Sequence, residues 1–141
     1  MMKYEKSCGF VVYRNDNNLI KYLLIQACNG EYGFPKGHVE NNETEHETAI
    51  RELKEETNLD VNIIDGFRHP TEYLLPNKKD VMKQSVYFLG ECISDDIVCQ
   101  EGEVSKALFV SFEEAMDLLS YESTKNVLKE ANELILHKNQ V

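Results

Sequence analysis

Three carboxylates crowd together near the middle of the sequence, at Glu52, Glu55 and Glu56. In a helix this spacing places them on one face, where like charges repel one another and gain little from exposure to solvent. A divalent cation removes that conflict. Carboxylate oxygens suit hard cations such as Mg²⁺ or Mn²⁺, which accompany phosphate substrates. The spacing therefore predicts a metal site that serves phosphate chemistry.

The segment around these carboxylates carries the start and stop signals of a helix. Thr44 followed by Glu47 forms a capping box, which predicts a helix that begins at about residue 45. Asn58 readily takes the left-handed conformation that ends a helix. Between these signals, a second stripe at helical spacing lies roughly opposite the carboxylates and consists of Ala49, Ile50, Leu53 and Thr57.

The stretch from Gly37 to Leu59, GHVENNETEHETAIRELKEETNL, resembles the signature box of the Nudix hydrolases at nearly every fixed position. Asn58 and Asn42 depart from the box, since both stand where the family commonly has glycine. Asparagine is the least costly non-glycine residue at positive φ, so these departures concern turn geometry rather than chemistry. The resemblance implies metal-dependent hydrolysis by an enzyme that acts on phosphoric anhydride bonds.

The resemblance also implies which residues hold the metal. The family's ligands match Glu55, Glu56 and usually Glu52, together with the backbone carbonyl of Gly37. The residue at the position of Glu52 also acts as a general base in some members. The predicted catalytic carboxylates and the predicted metal site therefore overlap.

Residues outside this ligand set are expected to support it. The family pairs a structural arginine with an acidic residue, and these match Arg51 and Glu43. Lys36 stands beside the expected metal site and is predicted to contact phosphate. Family members also recruit a carboxylate from the loop after the long strand, where Glu101 and Glu103 are the candidates. Glu103 is preferred from its spacing to the segment that follows.

Beyond the box, the chain is similar to the asymmetric diadenosine tetraphosphate hydrolases in length and in the order of its landmarks. These landmarks are FPKGHVE at 34–40, GF at 66–67, Tyr73, Lys83 before VYFL, and FEEA at 112–115. In that group an aromatic residue at the position of Tyr73 stacks on an adenine, and the basic residue matching Lys83 faces phosphates. His38 and His69 are further candidates for a phosphate contact because both are expected near the cleft.

The elements that must position these residues alternate between strands and helices. Predicted strands cover 8–14, 22–26, 61–68, 71–75, 81–91 and 107–110, and the polar stretches 76–80 and 95–104 are predicted loops. Two further helices are predicted, one opened by a capping box at Ser111 and Glu114 and ending near residue 120, the other over 124–137. This order predicts an α/β protein with a mixed sheet packed between helices. The resemblance sharpens the prediction to the Nudix α/β/α sandwich.

Composition limits the kinds of partner that this chain can have. Residues 1–141 fit a single domain, and the net charge of −10 argues against a stable nucleic-acid partner or a membrane surface. The apolar runs are too short to span a membrane, and no signal peptide is visible, which predicts a cytoplasmic protein. Four cysteines without a CxxC pair are predicted to be reduced thiols, buried or idle. A small-molecule nucleotide is the expected partner, and the oligomeric state stays open.

Three functions are compatible with the box. The leading interpretation is metal-dependent hydrolysis of a nucleoside polyphosphate, with diadenosine tetraphosphate converted to ATP and AMP by water attack on one phosphate. A second is removal of pyrophosphate from RNA 5′ ends, because closely related sequences divide between these substrates. A third is a nucleotide-sensing module without turnover. Intact Glu52, Glu55 and Glu56 argue against the third.

Overall fold

The computed structural model describes residues 3–74 and 80–139, and a mixed β-sheet forms the centre of this part of the chain. Its strands are β1 Lys3–Asp16, β2 Leu19–Ala27, β3 Tyr32–Gly33, β4 Lys36–His38, β5 Val61–Ile63, β6 His69–Leu74, β7 Val81–Cys92 and β8 Val104–Val110. The helices are α1 Glu45–Thr57, α2 Phe112–Leu118 and α3 Glu122–Asn139. No helix within these ranges is both long and apolar enough to cross a membrane.

The centre of the sheet is β1, which pairs with β7 in parallel along most of its length. On its other edge, β1 pairs antiparallel with β4 and, further along, with β2. Strands β5 and β6 pair antiparallel with β7, and β8 pairs antiparallel with β2. The short strand β4 therefore lies one strand away from β7, with β1 between them.

Alternate residues of β1 pack into two different cores, one on each face of the sheet. Phe10 and Val12 pack with Ala49 and Leu53 of α1. Val11 and Tyr13 point to the opposite face, where they pack with residues of α2 and α3 and with the residue that follows α2: Ala115, Leu119, Val127, Leu128, Ala131 and Ile135. This arrangement confirms the predicted mixed sheet between helices.

Both predicted ends of α1 are confirmed. The Thr44 hydroxyl accepts a hydrogen bond from Glu47 N at 3.1 Å, and the Glu47 carboxylate accepts one from Thr44 N at 2.8 Å. Asn58 adopts the left-handed conformation with φ of 65°, and its N–H donates to Lys54 O at 2.9 Å. The second capping box, at Ser111 and Glu114, is present as predicted.

The buried face of α1 differs from the predicted stripe at one position. Ala49, Leu53 and Glu56 are buried, whereas Ile50 is 47% exposed. Residues at spacings of four and seven share a helix face, but adjacent residues are separated by about 100°. Ile50 is therefore turned away from the sheet, and a glutamate occupies part of the buried face.

Most predicted strands are present, but their boundaries shift. The predicted strand over 61–68 is wrong beyond Ile63, because the chain turns at Asp65 and Gly66 before β6 begins. Strands β1 and β8 are longer than predicted, and α2 ends at Leu118 rather than near residue 120. The end of the predicted strand at 75 and most of the predicted loop over 76–80 lie outside the described residues.

Candidate active site

A cleft of about 830 Å³ opens beside α1 and β4 and is lined by most of the predicted site residues. These are Lys36, Gly37, His38, Glu52, Glu55, Glu56, Tyr73, Lys83 and Glu103. They come from β4, α1, β6, β7 and the loop before β8. Residues that are distant in the sequence therefore meet around one continuous space.

Strand β4 and helix α1 approach each other closely at Gly37 and Glu52. A Cβ atom added at Gly37 would lie 2.1 Å from Glu52 Cδ and 2.3 and 2.4 Å from its two carboxylate oxygens. Any residue other than glycine would displace that carboxylate. Gly37 thus allows the backbone of β4 and the side chain of Glu52 to approach each other.

Glu56 is an unusual glutamate because it is buried without full neutralisation. Glu56 is only 7% exposed, and its Oε1 accepts a 3.4 Å hydrogen bond from Lys36 N. Its Oε2 is buried and has no hydrogen-bond partner among the described residues. Burial, followed by the charge of Glu52, raises the pKa of Glu56 to about 8. Burial likewise raises the pKa of Glu52.

Arg51 ties the neighbouring carboxylates to the loop before α1. Its guanidinium donates to both oxygens of Glu43, at 2.7 Å from Nε and 3.0 Å from Nη2. Nη1 donates to Glu52 at 2.8 Å and to Glu55 at 3.2 Å, and Nη2 also donates to His38 O at 2.9 Å. Hydrogen bonding to Arg51 lowers the pKa of Glu43 to about 2. The contact expected between Arg51 and Glu43 is therefore present.

The residues at this end of the cleft fit a divalent cation, although they are not yet arranged as a complete coordination shell. No three His, Cys, Asp or Glu side chains in residues 3–74 and 80–139 are grouped closely enough to hold a metal ion. Arg51 occupies oxygens of Glu52 and Glu55. The unpaired Oε2 of Glu56 nevertheless leaves a buried polar atom unsatisfied, and the raised pKa of Glu56 means that ionising this carboxyl without a bound cation is costly. Oxygen donors with surplus negative charge are the ligands that a hard cation prefers.

Two lysines face the same space. Lys36 Nζ donates to Ser85 Oγ at 3.2 Å, and burial, followed by the nearby charge of Lys83, lowers the pKa of Lys36 to about 8. Lys83 lies on β7 directly opposite Tyr73 of β6. Tyr73 is 43% exposed and lines the wall of the cleft. Cationic groups and an accessible aromatic ring are thus adjacent.

The loop that carries Glu103 is fixed to the end of α1. Val98 N donates to Thr57 O at 3.0 Å, and Gln100 N donates to Glu56 O at 3.1 Å. Glu103 N in turn donates to Gln100 O at 3.2 Å. These bonds satisfy carbonyls that a helix end leaves free. They also place Glu103 in the cleft lining, which does not include Glu101.

The structure corrects one prediction and adds cleft residues that the sequence analysis missed. His69 contacts Glu130 of α3 instead of lining the cleft. Ser85 and Tyr87 line the cleft, and their alternation with Lys83 on a predicted strand was a usable signal. Glu31 and Tyr121 also line the cleft but gave no such signal, because they are far apart in the sequence. The Tyr121 hydroxyl donates to the Glu31 carboxylate at 2.9 Å.

The fold and this cleft define a class of hydrolase that acts on pyrophosphate bonds. Residues 3–131 match the family model described as the NUDIX domain, so the chain belongs to the Nudix family. Nudix hydrolases generally use divalent metals, in agreement with the donor set described above.

Several known proteins are similar to this chain over most of its length. The asymmetrical bis(5′-nucleosyl)-tetraphosphatase of Sus scrofa is 32% identical over 142 residues, which cover 92% of this chain and 95% of the relative. The protein of the same name from Caenorhabditis elegans is 30% identical over 126 residues, covering 88% and 91%. A solved structure described as a C. elegans Ap4A hydrolase binary complex has a TM-score of 0.86 and 27% identity, covering 94% of this chain and 98% of that one. The predicted Nudix sandwich is therefore confirmed.

Proposed function

We propose that this Nudix hydrolase cleaves dinucleoside tetraphosphates, and that it converts diadenosine tetraphosphate to ATP and AMP. Relatives that bear the name asymmetrical bis(5′-nucleosyl)-tetraphosphatase support this substrate class. The observation that carries the proposal is the composition of the cleft. Carboxylates of α1, two lysines and the exposed ring of Tyr73 line one space, in which one molecule with phosphates and a base could contact all three.

The α1 end of the cleft would hold the reacting phosphate. The residues that would bind Mg²⁺ or Mn²⁺ are Glu52, Glu55, Glu56 and the carbonyl of Gly37. When bound, such a cation supplies a polarised phosphoryl oxygen and a water of lowered pKa. The chain's own contribution is to hold these oxygens in a poorly solvated place, where their negative charges would act strongly on a bound cation.

The supporting residues around this end keep the carboxylates in position. Arg51 links Glu43 of the preceding loop to Glu52 and Glu55, so loop and helix are held in one arrangement. Glu103 would act from the opposite loop, which is bonded to the same helix end. Displacement at phosphorus depends mainly on positioning and on charge stabilisation, and both roles fit residues of this kind.

The lysines would bind the rest of the phosphate chain. A protein with a net charge of −10 repels polyphosphates at long range, so attraction must come from local cations. Lys36 and Lys83 supply two such cations within the cleft, and His38 lines it beside them. A phosphate chain placed there would neutralise the repulsion between the two lysines.

Tyr73 would bind one adenine through its exposed ring face. A stacking contact far from the reacting phosphorus adds binding without taking part in the chemistry. Because stacking accepts every base, Tyr73 would favour a nucleoside end rather than select adenine alone. The position of Tyr73 opposite Lys83 agrees with a base that is followed by phosphates.

The test is a side-by-side comparison of substrates. We would measure kcat/KM for diadenosine tetraphosphate, ATP and 5′-triphosphorylated RNA with Mg²⁺, with Mn²⁺ and with excess chelator, and identify the products by chromatography. The proposal expects the dinucleotide to be the best substrate, with ATP and AMP as products. A clear preference for the RNA would overturn the proposal and indicate an RNA-end hydrolase.

A further inference from the structure

The contact between Lys36 and Ser85 spans three strands of the sheet. Lys36 lies on β4 and Ser85 on β7, and β1 runs between these two strands. Neighbouring strands are about 4.8 Å apart, so β4 and β7 are separated by roughly 10 Å. Lys36 Nζ nevertheless donates to Ser85 Oγ at 3.2 Å. The lysine side chain must therefore cross over β1 to make this bond.

Gly9 lies beside the start of that crossing, whereas Ser7, two residues earlier on β1, is the register partner of Ser85. In the sheet register, Gly9 of β1 is the partner of Lys36 on one side and of Tyr87 on the other. A Cβ atom at Gly9 would lie 2.2 Å from Pro35 O and 2.6 Å from Lys36 Cβ. Any larger residue would push both the backbone of Pro35 and the stem of Lys36 away from β1. The missing side chain at Gly9 thus opens the path over the strand.

Ser85 determines where the crossing lysine ends. Ser85 is 1% exposed to solvent and lies in the lining of the cleft. Its hydroxyl accepts a hydrogen bond from the Lys36 ammonium. Lys83 is two residues away on the same strand and therefore on the same face. Two ammonium groups so placed repel each other, and an unconstrained lysine would turn toward solvent. The hydrogen bond to Ser85 opposes that movement.

We propose that Gly9 and Ser85 are positioning residues that hold the Lys36 ammonium beside Lys83, so that both cations face the same oligophosphate chain. Gly9 provides the path, and Ser85 provides the fixed end point. This inference deepens the proposed function and rests on it, since it assigns the two residues to phosphate binding in the same cleft.

The first experiment uses inorganic tripolyphosphate as the probe, in excess chelator, so that binding is separated from hydrolysis and from metal. We would measure its Kd by calorimetry for the full chain and for Ser85→Ala and Ser85→Thr. Ser85→Ala should weaken binding by roughly tenfold, the scale of a hydrogen bond to a charged group. Ser85→Thr keeps a hydroxyl and should bind within about threefold of the parent, which makes it the rescue variant.

The second experiment is a double-mutant cycle, which separates positioning of Lys36 from a general structural effect. In a Lys36→Met background, Ser85→Ala should no longer weaken tripolyphosphate binding. Thr71→Val is the matched control, because the Thr71 hydroxyl also lines the cleft but donates to the backbone carbonyl of Ser85. Its effect should be the same in both backgrounds.

Steady-state kinetics supply a further readout. Ser85→Ala should raise KM for the hydrolysed substrate by roughly the factor seen in tripolyphosphate binding, with kcat changed less than about threefold. Thermal unfolding of each variant would confirm that it is folded. If Ser85→Ala weakens binding equally with Lys36 and with Met at position 36, the inference is wrong. An undetectable affinity of the parent for tripolyphosphate would also overturn it.

These outcomes distinguish the inference from the proposed function. A preference for RNA over diadenosine tetraphosphate, combined with an intact coupling between Ser85 and Lys36, would remove the proposed substrate and keep the positioning role. Hydrolysis of diadenosine tetraphosphate without that coupling would do the reverse.

Discussion

The two ends of α1 each carry a glutamate, and these two glutamates lie in opposite electrostatic environments. At the N-terminal end, Glu45 receives hydrogen bonds from Arg68 at 2.8 and 2.9 Å and also contacts Lys6. These hydrogen bonds lower its pKa to about 2. At the C-terminal end, Glu56 is more deeply buried, has an unpaired Oε2 and has its pKa raised to about 8. Glu45 is therefore paired with cationic side chains of the chain itself, whereas Glu56 keeps an oxygen without a partner among the described residues.

The helix dipole widens this difference. A carboxylate in the first turn is stabilised by the free N–H groups there, whereas the dipole near the last turn disfavours a negative charge. Glu45 therefore occupies the favourable end and Glu56 the unfavourable end. Folding alone would not select a buried, unpaired glutamate at the second position. A buried, unpaired carboxyl with a raised pKa is a feature typical of functional sites, so Glu56 is the candidate group at this end of the helix.

Removal of divalent metal is the strongest way to break this comparison, because it withdraws what Glu56 is expected to bind. Excess chelator should abolish hydrolysis of the best substrate, and added Mg²⁺ or Mn²⁺ should restore it, since the carboxylates alone do not activate water. Phosphate-product assays measure this directly. Full turnover in chelator, with the absence of metal verified by elemental analysis, would contradict the assignment.

Substitution at the two ends tests them separately. Glu56→Gln should reduce kcat by roughly a hundredfold or more, the scale of losing one charge-stabilising group at a reacting centre. Glu45→Gln is the matched control on the same helix and should leave kcat within about twofold, because its contacts lie outside the cleft. Equal activity of the two variants would mean that the unpaired charge has no catalytic role.

Leu53 lies between the two ends and should affect stability rather than chemistry. It is 1% exposed, so Leu53→Ala should reduce the free energy of unfolding by about 2–5 kcal/mol. Ile50→Ala, on the exposed side of the helix, should change it by less than about 1 kcal/mol. Urea titrations of the two variants measure both values. A larger loss from Ile50→Ala would show that the buried face of α1 is assigned incorrectly.

Tyr73 sharpens the comparison at the far wall of the cleft, where residues are expected to contribute to substrate binding but not to the chemical step. Tyr73→Ala should lower kcat/KM for diadenosine tetraphosphate by a factor that corresponds to a loss of about 1–3 kcal/mol in transition-state stabilisation, the scale of base–aromatic stacking. Tyr73→Phe keeps the ring face and should cost little. Lys83→Ala should weaken binding more at low salt than at high salt, as expected for a phosphate contact. Loss of activity in Tyr73→Phe equal to that in Tyr73→Ala would point to the hydroxyl instead.

The smallest expected effect is acid sensitivity from Glu45. Because its folded pKa lies near 2, below the ordinary value of 4.5, its stabilising contribution is present above about pH 4.5 and is lost as pH falls toward 2. Arg68 is about half exposed, which limits the contribution to about 1 kcal/mol or less. Glu45→Gln should therefore destabilise slightly at neutral pH and by much less at pH 2. Urea titrations at both values test this, and a larger loss at low pH would reverse the sign.

The sequence contained the local information about α1 but not its depth in the fold. Thr44 and Asn58 fixed both helix ends, because capping depends on residues within a few positions. Spacing also placed Glu52, Glu55 and Glu56 near one another, since helix geometry gives the angle between residues. It did not show that Glu56 is buried and Ile50 exposed, because burial depends on how the helix is rotated against the sheet.

Longer-range contacts were recoverable only where a resemblance supplied them. The Arg51–Glu43 pair was expected from the Nudix box and is present. The Lys36–Ser85 contact requires the register of β4 and β7 relative to β1, and three strands distant in sequence set that register. Turn geometry at Gly66 ended a strand that propensity alone extended to residue 68. Register and turn geometry were the missing information.

The hydrogen bonds from the 93–103 loop to the end of α1 have a consequence for local opening. The amides of Val98 and Gln100 donate to carbonyls of Thr57 and Glu56, so neither amide can exchange its hydrogen unless the loop separates from the helix. Separation of the loop that presents Glu103 therefore breaks its bonds to the last turn that presents Glu56. We expect slow hydrogen exchange at these two amides to report on the integrity of both carboxylate-bearing walls at once.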